Sequence, residues 1–359
     1  MKSYVSAVLV LALLAALPAS ARDKTVDRLF LPAAKPTAPA ETIACKDQPL
    51  DLRDAKGALL DHLRRFDYPP QDFEYTIQLV SEEEQFRVYR VTYTSPFDTP
   101  WPENNTVPAE YYVPRGETSD TEKKYPAAIV LDIMDGSAIL PRMMARSAAQ
   151  NGVVALYIPM PCYNDRRPPG DPHEDLLREN PAHAADGLRQ TVFDVRRAKA
   201  ILASRPEVDA SRVGITGISL GGIMTSLAAG VDGTFARVCP ILAGGDVATI
   251  TFHANESRKL RRAMQEKGIT RDYAAEHIFG PVDPVTFASR IGAERCLMIN
   301  ASKDEVIPKA TTLALNEAAG KPPIVWISGT HYSAVGYFPV MQKTVIEFLR
   351  DGTRPESAK

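Results

Sequence analysis

The segment Arg212–Gly222, with the sequence RVGITGISLGG, constrains this chain more than any other part of it. A short β-branched run leads into the pattern Gly-x-Ser-x-Gly, and small apolar residues at helical spacing follow from Ile223. This order predicts a strand, a sharp turn and a helix, with Ser219 at the tip of the turn. Gly217 and Gly221 have no Cβ, so the strand and the helix can approach each other closely there. The helix N-terminus would also favour negative charge developing on an oxygen beside the serine.

The same glycines admit two other interpretations. The first is a glycine-rich strand-to-helix turn of any α/β protein, with no chemistry attached. The second is a dinucleotide-binding loop, but that loop needs Gly-x-Gly-x-x-Gly, and the glycines of this segment fit it in no register. It also usually lies in the first βα unit, whereas this turn lies near residue 219 of 359. We set the dinucleotide interpretation aside, and the serine interpretation then depends on partners for the hydroxyl group.

The first 21 residues are predicted not to belong to the fold. Lys2 precedes an apolar run over residues 5–17, and residues 19–21 (Ala-Ser-Ala) supply a small-x-small cleavage site. We expect a secretory signal peptide and a mature chain that starts near Arg22, in the periplasm or outside the cell. No cysteine follows the run closely, and no later run approaches the ~18 apolar residues of a membrane span. We therefore expect no stable membrane anchor.

Composition excludes several classes of protein. The formal net charge is −2 with 24% charged residues, which argues against nucleic acid as a partner. The spacing of the four cysteines, Cys45, Cys162, Cys239 and Cys296, matches no zinc or CxxC pattern, so no metal site is predicted. Export permits disulfides. Cys239 and Cys296 nevertheless fall in apolar runs predicted to be neighbouring strands, which favours two small buried residues, and the sequence assigns no pairing.

Periodicity and composition divide the rest of the chain into three segments. Residues 22–48 are predicted to be a flexible lead-in, and residues 49–124 an N-terminal extension with leading strands. Over residues 125–350 apolar strands alternate with helices, which is typical of a parallel sheet, and a helical insertion interrupts them at about 250–290. Predicted strands cover 75–80, 86–94, 109–113, 127–131, 153–158, 213–216, 236–242, 296–300 and 324–327. Predicted helices cover 49–66, 142–150, 188–204, 309–318 and 339–349.

A serine hydroxyl needs a base to become a good nucleophile, and a histidine base is best oriented by a carboxylate. Of the six histidines, only His331 lies just past a predicted C-terminal strand. Catalytic groups in open parallel sheets gather at such strand ends. Asp304, in a turn braced by Pro308, is the predicted acid. Asp246 after the preceding strand is the alternative acid, and Glu305 is a third and weaker choice.

The three motifs resemble those of the α/β-hydrolases, in the serine-esterase branch near dienelactone-hydrolase-like and acetyl-xylan-esterase-like proteins. Residues 217–221 resemble the family's nucleophile elbow, Asp304-x-x-Ile307-Pro308 its acid turn, and Gly329-Thr330-His331 its histidine loop. The resemblance covers roughly residues 125–349. It implies an α/β-hydrolase fold: a mostly parallel central sheet, helices on both faces and an antiparallel leading edge. Dienelactone hydrolases carry a cysteine nucleophile, so Ser219 shifts the expectation toward ordinary ester cleavage.

The resemblance also implies an oxyanion hole made of two backbone N–H groups. One belongs to Leu220, directly after the serine. The family usually shows His-Gly at the second place, where this chain has Asp132-Ile133, which makes Met134 the expected donor to within one residue.

Further residues are candidates for the substrate pocket: Asp135, Tyr163, Arg166, Arg167 and Tyr332. Either arginine would hold a substrate carboxylate, or the two would brace their loop as a solvated pair. The helical insertion is a candidate for a partial lid.

These observations predict a serine carboxylesterase that forms an acyl-enzyme on Ser219 and needs no metal or organic cofactor. The expected partner is a small-molecule or polymer ester. Two alternatives share the fold, namely a serine peptidase of the prolyl-oligopeptidase type, for whose propeller domain this chain is too short, and an acyltransferase. A third alternative is of another class: a non-catalytic binding protein, although such proteins usually lose one member of the Ser–His–Asp set.

The predicted signal peptide gives a first testable expectation. When the full sequence is expressed in a bacterium, the exported protein should lack residues 1–21, because the cleavage site follows the apolar run directly. Intact-mass spectrometry of periplasmic and secreted fractions measures this. A variant carrying Leu11→Arg and Leu13→Arg should stay uncleaved in the cytoplasm. Uncleaved wild-type protein in the cytoplasm would contradict the expectation.

Overall fold

The computed structural model describes residues 38–116, 123–134, 138–168 and 180–356. The strands within these residues are β1 (Glu41–Lys46), β2 (Asp72–Glu82), β3 (Phe86–Thr94), β4 (Thr106–Pro114), β5 (Tyr125–Leu131), β6 (Val154–Ile158), β7 (Val208–Ile218), β8 (Arg237–Ile241), β9 (Met298–Ala301) and β10 (Ile324–Ile327). They form a ten-stranded sheet in the order β1-β2-β3-β4-β6-β5-β7-β8-β9-β10. Pairing is antiparallel from β1 through β4 to β6 and parallel from β6 to β10.

Helices cover both faces of this sheet. The α-helices are α1 (Gly57–Leu63), α2 (Ile139–Gln150), α3 (Pro181–Ser204), α4 (Leu220–Asp232), α5 (Val247–His253), α6 (Arg258–Glu266), α7 (Arg271–Tyr273), α8 (Pro284–Phe287), α9 (Lys309–Ala318) and α10 (Phe338–Asp351). A π-helical turn at Ala274–Phe279 continues α7. Within the residues that the structure describes, no helix combines the length and apolar character needed to cross a membrane.

The central strands are buried on both sides, which explains why they read as continuous apolar runs. On β5, Ala127 and Ile129 pack with α3 and α4, whereas Ala128 and Val130 point to the opposite face and pack with α2 and α10. The predicted architecture is confirmed: a mostly parallel sheet, helices on both faces and an antiparallel leading edge.

The first and last residues of several predicted strands and helices agree with the structure. The predicted start of α3 does not. The predictions for 86–94, 309–318 and 324–327 coincide with β3, α9 and β10. Helix α3 begins at Pro181, seven positions before its predicted start. The Asn180 side chain accepts a hydrogen bond from the Ala182 N–H at 3.1 Å, and Pro181 occupies the first helical position. A capping residue followed by proline is a favourable helix N-terminus. The predicted start relied on the apolar stripe, which begins only at Leu188.

Two predictions for the N-terminal part are wrong in extent. The helix predicted over 49–66 begins only at Gly57, because the Asp51 carbonyl accepts a hydrogen bond from Arg290 instead of joining a helix. Within the predicted lead-in 22–48, residues 41–46 form β1, which pairs with β2 in the register Ile43↔Tyr75. An edge strand gains its stability from that pairing, and its short alternation is a weak sequence signal. The predicted signal peptide and residues 22–37 lie outside the described residues.

The two buried cysteines are thiols on opposite faces of the sheet. Cys239 lies on β8, and Cys296 pairs with Val238 just before β9. Cys296 packs with the α3 side and Cys239 with the α10 side. Burial raises the pKa of Cys296 to about 12 and also raises that of Cys239, so both remain protonated. Since the sheet separates the two thiols, they cannot form a disulfide with each other. Both are small buried residues, as predicted.

A buried ion pair joins the segment that follows β1 to α3. Arg197 Nε lies 2.9 Å from Asp47 Oδ1, and the Arg197 Nη1 group donates to the Thr94 carbonyl at 2.8 Å. The Arg197 and Asp47 side chains are 3% and 0% exposed. Removing one partner of such a pair leaves an uncompensated charge in the interior, so the pair fixes the docking of this segment.

Replacing Asp47 by alanine should therefore destabilise the protein strongly. We expect the free energy of unfolding to fall by about 3–5 kcal/mol, because Arg197 stays buried without its counter-charge. The control is Asp72→Ala, since the Lys46–Asp72 pair is 69% and 84% exposed and contributes less than about 1 kcal/mol. Urea unfolding measures both variants, and equal losses would contradict the role of the buried pair.

Candidate active site

Three polar side chains predicted to act together lie where parallel strands end. Ser219 follows β7, Asp304 follows β9, and His331 follows β10. In an open parallel sheet these ends share one edge, which is where ligands usually bind.

Ser219 sits in a strained turn between β7 and α4. Its backbone has φ 57° and ψ −117°, a conformation that side-chain-bearing residues rarely adopt. A Cβ on Gly217 would lie 2.5 Å from the Gly221 carbonyl oxygen, and a Cβ on Gly221 would lie 2.5 Å from the Asp132 carbonyl oxygen. The two glycines are therefore required by close backbone approach. The Ser219 N–H donates to the Ile241 carbonyl on β8 at 2.9 Å, which ties the turn to the neighbouring strand.

A chain of hydrogen bonds links the three side chains. Ser219 Oγ lies 3.0 Å from His331 Nε2. His331 Nδ1 lies 3.0 and 2.9 Å from the two carboxylate oxygens of Asp304. In the tautomer that donates its Nδ1 proton to the carboxylate, Nε2 can accept the hydrogen bond of the serine hydroxyl. The Asp304 oxygen Oδ1 also accepts the N–H groups of Val306 and Ile307 at 2.9 and 2.8 Å, which fixes the carboxylate. The arrangement can take a proton from the serine hydroxyl.

The alternative acid has a different role. Asp246 caps α5: its carboxylate accepts from the N–H and hydroxyl groups of Thr249 at 3.1 and 2.6 Å. The structure brings Asp304, and not Asp246, to His331. The third choice, Glu305, lies beside His331 but contacts its main chain, since Glu305 Oε2 accepts from the His331 backbone N–H at 2.8 Å.

The first turn of α4 and the loop after β5 supply the predicted oxyanion donors. Leu220 is the first residue of α4, so its N–H has no acceptor within the helix. Met134 lies in the loop after β5, whose start touches α4 where the Asp132 carbonyl meets Gly221. The role of Leu220 and Met134 in holding an oxyanion stays a prediction. Asp135 lies outside the described residues.

Asp132 anchors the loop after β5. The side chain is fully buried and accepts from its neighbour's N–H, that of Ile133, at 2.8 Å and from the Tyr157 hydroxyl at 2.8 Å. Burial raises the pKa of Tyr157 well above its usual range, and the Asp132 charge raises it further, so the phenol stays neutral and donates. At the place where the resembling family has histidine, this chain has a buried structural carboxylate.

Arg166 neither faces a substrate nor forms a solvated pair with Arg167, as was predicted, but braces its loop from the protein interior. Its side chain is fully buried, pairs with Asp194 of α3 at 2.8 Å and donates to the carbonyl of Asn104 at 2.7 Å. The guanidinium therefore pins the loop after β6 to the protein interior. Asp194, placed between apolar residues on a long helix, was the available signal for a buried cationic partner. Arg167 is exposed, and Tyr163 is buried.

Tyr332 is the pocket candidate that the structure places beside the histidine. The residue is 59% exposed, and its ring lies edge-on to the His331 imidazole with 5.8 Å between ring centroids. Its hydroxyl donates to Glu256, in the loop between α5 and α6. The predicted helical insertion is present as α5 to α8, and it therefore contacts the histidine loop directly. Glu256 was not predicted, because the sequence carries no signal for this long-range contact.

Two clefts elsewhere in the described structure lie apart from these three side chains. Within the described residues, no three His, Cys, Asp or Glu side chains converge as metal ligands would. A cleft of about 950 Å³ lies between residues 48–53 and α3, and one of about 460 Å³ lies between the start of α3 and the helical insertion. Neither is lined by the serine, the histidine or the aspartate.

Fold and site together define an α/β-hydrolase of the serine-hydrolase class. The family model described as alpha/beta hydrolase domain containing 18 matches residues 53–253, which is more than half of the chain. The chain belongs to this family. The model of the prolyl oligopeptidase family matches residues 187–321.

Solved structures show the same fold. The acetyl xylan esterase 1 of Thermoanaerobacterium sp. JW/SL YS485 superposes with a TM-score of 0.62 at 16% identity, over 84% of this chain and 95% of that chain. The acetyl xylan esterase of Paenibacillus sp. R4 gives 0.57 at 19% identity, over 81% and 91%. A puromycin-hydrolyzing peptidase of Mycobacterium tuberculosis gives 0.51 at 13% identity, over 77% of this chain but 45% of the peptidase.

A curated relative covers a smaller part of the sequence. An uncharacterized protein of Mycobacterium tuberculosis is 29% identical over 168 residues. The match spans 46% of this chain and 37% of the relative.

Exchanging single carboxylates tests the assignment of the acid. Asp304→Asn should lower kcat by about 10⁴-fold, because an amide at that place favours the wrong imidazole tautomer. Asp246→Asn should change kcat little, since the Asp246 carboxylate caps α5 and does not contact His331. Steady-state hydrolysis of an activated ester measures both. Intact activity in Asp304→Asn together with loss in Asp246→Asn would show that the assignment is wrong.

Proposed function

We propose that the protein is an exported serine carboxylesterase that acts through an acyl-enzyme on Ser219. The observation that carries this proposal is the 3.0 Å contact between Ser219 Oγ and His331 Nε2, with Nδ1 held by Asp304. A hydroxyl, an imidazole and a buried carboxylate in this order form a nucleophile, its base and the group that orients the base.

In the first half-reaction, Ser219 Oγ attacks the ester carbonyl carbon while His331 Nε2 takes the hydroxyl proton. The carbonyl oxygen becomes an oxyanion, which the N–H groups of Leu220 and Met134 hold. The tetrahedral intermediate then expels the alcohol, which receives the proton from His331. Asp304 keeps its charge throughout and stabilises the imidazolium.

In the second half-reaction, water attacks the acyl group on Ser219. His331 takes a proton from the water and returns it to Ser219 Oγ as the acid is released. The set of reacting groups is complete without a metal ion or an organic cofactor. The proposed partner is an ester of a small molecule or a polymer.

The activities named for similar solved structures support a serine hydrolase, since two of them are acetyl xylan esterases and one is a puromycin-hydrolyzing peptidase. We place the esterase first because Ser219, His331 and Asp304 suffice for ester cleavage. The family-model match at 187–321 favours the peptidase as the second candidate. An acyltransferase would use the same acyl-enzyme, with an alcohol in place of water.

A matched substrate series tests these alternatives. We expect hydrolysis of p-nitrophenyl esters, from acetyl to dodecanoyl, and much slower cleavage of the p-nitroanilide with the same acyl group. Acetylated xylan tests a polymer substrate, with release of acetate as the readout. Faster cleavage of the anilide would favour the peptidase, and acyl transfer to an added alcohol in preference to water would favour the acyltransferase.

Single replacements test the mechanism itself. Ser219→Ala and His331→Ala should each lower kcat on the preferred ester by several orders of magnitude, on the order of 10⁶-fold, because each removes a group required for acylation. The controls are Ser211→Ala and His277→Ala, which replace exposed residues away from the site. A fluorophosphonate probe should label the wild type and not Ser219→Ala. Absence of both turnover and labelling in folded wild-type protein would favour a non-catalytic binding protein.

A further inference from the structure

The loops that carry Asp304 and His331 remain joined beyond the ends of their strands. The last paired residues of β9 and β10 are Ala301 and Ile327. After them, the Ser302 N–H donates to the Ile327 carbonyl at 2.8 Å, and the Lys303 N–H donates to the Gly329 carbonyl at 2.9 Å. The ladder of the parallel sheet thus extends into the site.

The final contact of this series uses a side chain. Two residues beyond Gly329, the His331 backbone N–H donates to Glu305 Oε2 at 2.8 Å. No carbonyl group of the acid loop takes this place, so the carboxylate of Glu305 ends the ladder that the backbone began. The contact holds the main chain of His331, whereas Asp304 and Ser219 hold only its ring.

Asp304 cannot supply this contact as well. One of its oxygens already accepts the N–H groups of Val306 and Ile307, and both oxygens face the imidazole. A second acceptor is therefore needed for the His331 main chain, and the neighbouring carboxylate provides it.

Glu305 is itself held by the helical insertion. His253, the last residue of α5, lies with Nε2 3.2 Å from the Glu305 carbonyl oxygen. This contact holds the main chain of Glu305, and it therefore helps to place the Glu305 side chain beside the His331 backbone.

We propose that Glu305 is a positioning residue, which acts through the main chain of His331 and sets the distance between His331 Nε2 and Ser219 Oγ. This inference rests on the proposed function. Glu305 touches no reacting atom. The Glu305 carboxylate thus joins the Ser–His–Asp set as the group that fixes the main chain from which the imidazole extends.

The test compares Glu305→Ala with Glu305→Gln. Alanine removes the acceptor, and kcat should fall on the order of 10²-fold with KM nearly constant, because displacing a catalytic group by about 1 Å has such an effect. Glutamine keeps a carbonyl oxygen at the same reach and should restore most of the activity. The control is Glu317→Ala, which removes a carboxylate that is 71% exposed on α9.

Two further readouts separate positioning from a general loss of structure. The rate at which a fluorophosphonate labels Ser219 should fall in parallel with kcat in Glu305→Ala, while the Tm stays close to that of Glu317→Ala. Selective ¹⁵N labelling of the six histidines gives a simple spectrum, in which His331 is assigned by comparison with His331→Asn. Exchange of the His331 amide with solvent should accelerate in Glu305→Ala and not in Glu305→Gln.

Each outcome decides the question. Unchanged amide exchange in Glu305→Ala would overturn the contact. Accelerated exchange with unchanged kcat and labelling would overturn the positioning role, as would a loss of kcat that glutamine does not rescue or that follows a lower Tm. If the wild type hydrolyses no ester but labels at Ser219, the proposed ester substrate fails while the labelling rates still test Glu305. If the wild-type protein neither hydrolyses an ester nor reacts with the probe, the proposed function is wrong, and the positioning role of Glu305 is overturned with it.

Discussion

The contact on which the site depends is the close packing of backbone at the turn after β7. Gly217 meets the carbonyl of Gly221, and Gly221 meets the carbonyl at the end of β5. Neither position has room for a side chain, so the first turn of α4 lies directly against two strand ends. The same packing keeps Ser219 in its strained conformation, because relaxing that residue would separate the helix from the sheet.

Around this turn, buried charges hold the loops that the sheet does not pair. Arg166 and Asp194 fix the loop after β6 to α3, and Asp132 fixes the loop after β5 through Tyr157. Single buried charges are costly, and each of these groups has a counter-charge or a hydrogen-bond donor. The loops after β5 and β6 are thus fixed by polar contacts, while the strands beneath them are held by apolar burial.

Much of the fold was predictable because burial on two faces leaves continuous apolar strands, as on β5 and β7. The arrangement of Ser219, Asp304 and His331 was also predictable, since strand ends on one edge place side chains together whatever their distance in sequence. The predictions that failed concern residues whose roles depend on contacts between distant parts of the sequence. The role of Arg166 requires Asp194, and the contact of Glu305 with His331 requires the two loops to lie side by side. Neither leaves a periodic pattern. Strand β1 was missed for the same reason, because its stability comes from β2.

The order of the sheet places Ser219 and His331 on strands that differ in how firmly they are held. Ser219 follows β7, which has a strand on either side, whereas His331 follows β10, which pairs with β9 at the end of the sheet. Edge elements open locally at lower free energy than central ones. Warming should thus loosen the loop that carries His331 while the turn at Ser219 is still intact. Heat would then act first on the four residues of this edge strand, and only later on the core.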